Sequence, residues 1–260
     1  MRILSNGFPT NLPNSEQVSQ GGPANFAKAF FKYLQVENVH HEWIGVIFSG
    51  VNSHAVQLRK GVSVGRRKYF LLRTPRRMIS KVLQASMRTD PKVVLREPIS
   101  RLVNLIRKEK PDIVFLNGFG ILNWMLLKAA EKTNTPVVIQ HAGIWTKELR
   151  LHKEYYSVFG RKLMEKMERE STKIAQKEIF LNEWSKNYYQ RNVARGASEN
   201  AIVIPLPFNF SSFKTLQDVS KKKRFVFESN VVNVGVIARW DKIKNHKAVL
   251  TAAKYAKRNG

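Results

Sequence analysis

The chain has 260 residues, 43% of them hydrophobic and none of them cysteine, and its 45 Lys and Arg outweigh 19 Asp and Glu to give a formal charge of +26. That length supplies one large or two modest cores, the lack of cysteine excludes disulfide and thiolate chemistry and agrees with a reducing compartment, and the charge seeks polyanions. No apolar run approaches the roughly eighteen residues of a membrane span, and strand-like residues begin at Arg2 with no room for a signal peptide, so a cytoplasmic protein is expected.

The first strand-like run is "RILSN" (2–6). A long connection, "GFPTNLPNSEQVSQGGPANF", leads to "PANFAKAFFKYL", where Phe26, Ala27, Phe30, Phe31 and Leu34 share one helical stripe, with Gly22 placed to cap it and Pro23 in the first turn. Strand-like runs follow at 42–48, 68–72, 112–117, 136–141, 178–182, 201–205 and 231–237. Helical periodicity covers 95–109, 119–132, about 146–174 and 184–193. Most of the strand runs are continuously apolar rather than alternating, which means burial on both faces and a parallel sheet. The predicted fold class is therefore α/β, a Rossmann-like doubly wound parallel sheet.

The charge is local. Between Arg59 and Lys110 stand sixteen basic and three acidic residues. Within that stretch "GRRKYFLLRTPRRMISKVL" mixes cations with Phe70, Leu71, Leu72, Met78, Ile79 and Leu83, a pattern suited to an anionic membrane surface or a lipid-linked phosphate. Arg66, Arg67, Lys68, Arg76 and Arg77 are the expected membrane or anion surface. Nucleic acid is the rival partner and a merely solvated basic face the plain alternative. After "VIPLPFNFSSF" the polar, charged "KTLQDVSKKKR" reads as a linker. Residues 1–214 are thus expected to form one Rossmann-like domain, and 215–260 a linker and the incomplete start of a second, whose first strand and helix cannot bury a core alone.

In open α/β sheets ligands bind beyond the carboxyl ends of the strands, so candidate chemistry is sought in the loops there. Gly21 and Gly22 can bring bare backbone N–H groups to a phosphate at a helix amino end. Asn117 and Gly118 follow one strand, and His141 ends another just before a small-residue turn, which predicts an imidazole pointing into the cleft. Asn182, Glu183 and Ser185 are placed to cap the next helix. The run "VVNVGVIARWDKIKNH" opens an apolar strand onto basic residues, an arrangement able to hold a phosphate. The four aspartates, Asp90, Asp112, Asp218 and Asp241, are isolated, which leaves a metal-bridged diphosphate site unsupported; P-loop, nucleophile-elbow and zinc-helix motifs are absent.

Taken together, "SQGGPANFAKAFFKYL", "KPDIVFLNG", "VVIQHAGIW", "FLNEWSKNYY", "VIPLPFNFSSF" and "VGVIARWDKIKNH" make the chain resemble glycosyltransferase family 4, the retaining group with the two-domain GT-B fold. The last stretch is the most specific: the family writes "VGRLxxxKG" there, and this chain has Arg239 and Lys244 at the same spacing of five. The resemblance implies a transferase, of the hexosyltransferase type, that moves a sugar from a nucleotide-sugar donor to a glycan or lipid-linked acceptor with retention. It implies that Arg239 and Lys244 hold the donor diphosphate without a metal or other cofactor, that His141 orients the donor sugar, and that Gly21, Gly22 and Asn117 line the donor and acceptor edge. The cytoplasmic membrane face is the expected location, and nucleic acid is not expected as a partner. Two departures stand out. Pro205-Leu206-Pro207-Phe208-Asn209 replaces the family's Pro-Asn-Gly-Val-Asp, and the family's later Glu-x7-Glu element is not reached before Gly260, so low activity of this chain by itself is expected. A non-catalytic basic binding module and a GT-B nucleotide-sugar epimerase are the alternatives.

Overall fold

An apolar run buried on both faces has no polar side to show, and it satisfies its backbone N–H and C=O groups by pairing with strands on either side. The computed structural model describes residues 1–7, 21–61, 63–196, 199–205 and 246–259, and builds such runs into one sheet. Its strands are β1 (Arg2–Ser5), β2 (Glu42–Val51), β3 (Gln57–Lys60), β4 (Arg67–Pro75), β5 (Ile113–Asn117), β6 (Val137–His141), β7 (Lys177–Phe180) and β8 (Ala201–Val203). The spatial order is β3-β4-β2-β1-β5-β6-β7-β8, parallel throughout except for β3, which runs antiparallel to β4. The strand order reverses at β1, which pairs with β2 on one side and β5 on the other, so the ligand-binding crevice of a doubly wound sheet belongs at the carboxyl ends of these strands.

Helices cover both faces. On one face α1 (Gly21–Val36) sets Ala27, Phe31 and Leu34 against Ile3, Trp43, Ile47, Leu71 and Phe115. On the other, α4 (Arg96–Glu109), α5 (Ile121–Thr133) and α7 (Val158–Ile174) bury residues such as Leu102, Ile106, Leu126 and Met164 against Leu4, Ile44, Val46 and Leu72. Trp43 and Ile44 thus serve opposite layers, as the two-residue period of a strand requires. The remaining helices of this unit are α2 (Arg76–Leu83), α3 (Pro91–Val94), α6 (Trp145–Leu151) and α8 (Glu183–Tyr189), the last running on into a π turn at Gln190–Ala194.

The chain divides into two compact units, Met1–Pro205 and Leu206–Gly260. Of the second, the described part is helix α9 (His246–Asn259). The expected domain limit at 214 and the expected strand at 231–237 lie outside the described residues. No helix among the described residues is long and apolar enough to cross a membrane.

Besides the unforeseen helices α2 and α3, three features differ from the sequence expectation. Edge strand β3 has no apolar run because its faces are not buried: Gln57 and Leu58 are half-buried, and Arg59 and Lys60 are exposed. The helical stretch expected over 146–174 breaks in two at a short 3₁₀ turn, Lys153–Tyr155; Ser157 then caps α7 by accepting a hydrogen bond from the Gly160 N–H at 2.9 Å. The third is a correction to the proposed anionic-membrane surface. Arg66, Arg67 and Lys68 stand at the amino end of β4, whereas Arg76 and Arg77 follow its carboxyl end. A strand of that length separates the two groups by roughly 25–30 Å. Phe70, Leu71 and Leu72 between them are buried in the sheet, and Met78, Ile79 and Leu83 pack against the core. The five cations therefore form two clusters at opposite edges, and the apolar residues among them are interior.

Candidate functional site

At the carboxyl edge the sheet is tied together past the end of its ladder. Asn6 clamps the Asn117 backbone, its amide donating to Asn117 O at 2.9 Å while its oxygen accepts from Asn117 N at 2.8 Å. The Asn117 side chain donates to Gln140 Oε1 at 2.8 Å, and Asn123 from α5 donates to the carbonyls of Asn117 and Gly118 at 3.1 and 2.7 Å. Gly118 has φ of +73°, a left-handed conformation open to glycine at little cost. Asn117, expected at the rim, is thus a buried tie whose amide is occupied in shaping the following loop.

That loop and α6 frame two adjoining cavities. One, of about 430 Å³, is lined by residues including Asn6, Phe48, Leu83, Asn117, Trp145 and Tyr156. The other, of about 260 Å³, is lined by Asn117, Gly118, Phe119, Ala142, Gly143, Trp145 and Glu148. Phe119 and Trp145 line both, with ring centroids 5.3 Å apart at 57°. Trp145 and Glu148 are three apart in α6 and so share a face. Burial holds the Tyr156 hydroxyl above its ordinary value of 10.0, the Trp145 hydrogen bond opposes this, and the Glu148 charge adds to it.

Helix α6 is anchored from another element. Its N-cap residue, Ile144, has no side chain able to satisfy the first N–H groups, and Glu168 of α7 does so instead. Glu168 accepts from Trp145 N at 2.9 Å, from Thr146 N at 2.6 Å and from the Thr146 hydroxyl. A buried carboxylate at a helix amino end meets the positive end of the dipole. Desolvation nevertheless raises its pKa; the Thr146 and Trp145 hydrogen bonds and the nearby His141 moderate the rise.

His141 requires correction. It is 1% exposed and faces the core rather than the cleft. Its ring stacks on Phe180, its register partner on β7, at 4.6 Å and 8°, and lies 4.5 Å from the Tyr189 ring. Its Nε2 is 3.0 Å from Oε1 of Glu178, which is equally buried. The reason is strand alternation: Gln140 takes the face toward Asn117, so His141, still within the ladder, must take the face covered by α8. Tyr189, above His141, has its hydroxyl pushed well above the usual tyrosine range by burial and then by the charges of Glu178 and Glu168.

Gly21 and Gly22 begin α1, and as the crossover between parallel β1 and β2 that helix turns its amino end toward the carboxyl edge of the sheet. Asn182 caps α8 as expected, accepting from Ser185 N at 2.8 Å. Arg239 and Lys244 lie outside the described residues. Among the described residues no group of three His, Asp or Glu side chains is placed to hold a metal ion. Trp145, Glu148 and Tyr156 escaped the sequence reading; the available signal was an aromatic directly after the small-residue turn, with a carboxylate three residues on.

No protein-family model matches this sequence, and neither does any curated protein. Among solved structures the chain is similar to an α,α-trehalose-phosphate synthase (UDP-forming) from Burkholderia vietnamiensis, with a TM-score of 0.53 and 11% identity, covering 85% of this chain and 52% of that one. An α,α-trehalose 6-phosphate synthase from Burkholderia multivorans gives 0.48 and 12%, covering 86% and 53%. A UDP-GlcNAc 2-epimerase from Neisseria meningitidis, bound to UDP-GlcNAc, gives 0.44 and 18%, covering 85% and 51%. The chain therefore spans about half the length of the solved structures it matches. What this likeness shows is the fold, a mostly parallel α/β sheet of the Rossmann-like kind from which GT-B proteins are built.

Proposed function

We propose that this chain is the acceptor-side part of a glycosyltransferase that uses a nucleotide sugar, with retention and without a metal. The observation that carries the reading is the pair of cavities at the carboxyl edge, walled by Phe119, Trp145 and Tyr156 and bearing the Glu148 carboxylate. Aromatic faces pack against the C–H side of a pyranose ring, while a carboxylate accepts from its hydroxyls. Glu148 is accordingly assigned to the acceptor hydroxyls, and His141 to the support beneath the loop. Arg239 and Lys244 are assigned to the donor diphosphate, whose charge grows as the sugar departs.

A lipid-linked acceptor at the cytoplasmic membrane face accords with the surface next to the larger cavity. Leu83 at the end of α2 lines that cavity, and the exposed cations Arg76, Arg77, Lys81, Arg88 and Lys92 extend from α2 through α3, with Met87 82% exposed and Val93 70% exposed among them. Flotation with vesicles containing phosphatidylglycerol is expected to recover the protein, and R88E/K92E to release it. Unchanged recovery would remove the membrane assignment.

The acceptor reading is tested with tryptophan fluorescence and saturation-transfer NMR, using UDP-glucose, UDP-N-acetylglucosamine, GDP-mannose and a set of methyl glycosides and disaccharides as probes. Trp145→Ala and Glu148→Gln are each expected to weaken saccharide binding by about tenfold while leaving nucleotide-sugar binding unchanged. Binding of no saccharide, or full retention by both variants, refutes the proposal.

A further inference from the structure

We infer that the opposite, amino edge of the sheet carries a separate binding site for a phosphate-bearing small molecule. A cavity of about 480 Å³ opens there, lined by residues that include Phe31, Asn38, His40, His41, Arg66 and Arg67. It shares no lining residue with the acceptor cavities and is independent of the reading given for them.

Among the described residues no carboxylate lines it. Three carboxylates at this edge are engaged elsewhere: Glu42 with Arg2 at 2.9 Å, Glu109 with Lys68, and Asp112 with the Arg2 backbone N–H at 2.6 Å and the terminal ammonium at 4.0 Å; Glu37, exposed beside Asn38, does not line the cavity. Arg66 and Arg67 have no carboxylate partner among the described residues. They are nonetheless held. Arg66 Nη1 donates to His40 Nδ1 at 2.8 Å; Arg67 Nε donates to Val64 O at 3.2 Å, with its guanidinium carbon 5.1 Å from the Phe31 ring centroid. Such anchoring leaves further N–H groups on each fork and reduces the entropy lost when they close on an anion.

The second observation is His41. It is 4% exposed, and its Nδ1 donates to Val39 O at 2.6 Å, while its Nε2 is buried without a partner. A buried polar atom left open in this way is stabilised by a ligand that shares a proton with it. A phosphate monoester fits, because its second ionisation lies near pH 6. Its charged oxygens take the guanidinium N–H groups, and one proton lies between a phosphate oxygen and Nε2. Sulfate carries the charge but not the proton. The cavity exceeds what phosphate alone fills and leaves room for an organic part.

The test is a titration of the intact chain, followed by histidine side-chain NMR and calorimetry at low salt, with inorganic phosphate, glucose 6-phosphate and sulfate. Saturable binding of both phosphates at one site that shifts the His41 resonances, with sulfate weaker, is expected. R66A/R67A should weaken it by about tenfold or more, and K132A/R191A, which removes two exposed charges elsewhere, should not. Arg66→Ala, at an exposed position, serves should the double variant fold poorly, and its affinity should fall as well. Competition by phosphatidic acid vesicles would assign the phosphate to a lipid headgroup, and its absence to a soluble metabolite. Failure to saturate, sulfate binding as well as phosphate, or undiminished affinity of folded Arg66→Ala overturns the inference.

Discussion

Glu168→Ala is expected to lower stability by about 3–5 kcal/mol, measured by urea unfolding at neutral pH. The carboxylate is fully buried, and three donors at the start of α6, the N–H groups of Trp145 and Thr146 and the Thr146 hydroxyl, converge on it. Truncation leaves all three without their acceptor, the two Thr146 donors in buried positions. Glu168→Gln keeps one acceptor oxygen and should cost less. The carboxyl is held above its ordinary 4.5, chiefly by desolvation, so the folded state binds a proton that the unfolded state releases. The sign follows: this stabilising contribution is fully present below the ordinary value and is lost as pH rises through the raised one. Stability of the wild type relative to Glu168→Gln should therefore fall as pH increases across that interval. An unfolding midpoint of Glu168→Ala equal to that of the wild type would show that α6 is held in some other way.

The buried His141 and Glu178 pair should behave as a unit. Removing one partner, as in His141→Ala or Glu178→Ala, leaves the other polar group buried alone, at a cost of about 3–5 kcal/mol. Replacing both with apolar groups of similar volume, His141→Phe with Glu178→Leu, is expected to cost far less than the two single changes together. A double-mutant cycle measures the coupling. Additive effects would contradict it. Because His141 touches Phe180 and Tyr189 rather than the cavities, saccharide affinity of the folded fraction should change little in these variants.

Much of the fold was legible because parallel strands are continuously apolar and local in sequence. The runs at 42–48, 112–117 and 136–141 became β2, β5 and β6, and the Phe31 and Leu34 stripe became the buried face of α1. Edge strand β3 was not legible, since "QLRK" is half-buried to exposed and has no apolar period. Helix α2 was hidden for the opposite reason: Met78, Ile79, Val82 and Leu83 lie among cations that drew the reading toward a surface. The site was half legible. The cavities do open beside the loops after β5 and β6, where candidates were sought, but the residues facing them, Trp145, Glu148 and Tyr156, come from α6 and the turn after it.

Sequence alone determined the class of fold, the parallel sheet and the basic charge, because hydrophobic period and ionisable composition are properties of neighbours along the chain. Tertiary structure decided which way each side chain faced. It turned His141 inward, spent Asn117 on a tie between strands, parted Arg66 and Arg67 from Arg76 and Arg77 by the length of β4, and gave α6 its cap from Glu168. Those outcomes depend on strand alternation, register and packing between segments distant in sequence, which no local pattern of residues encodes.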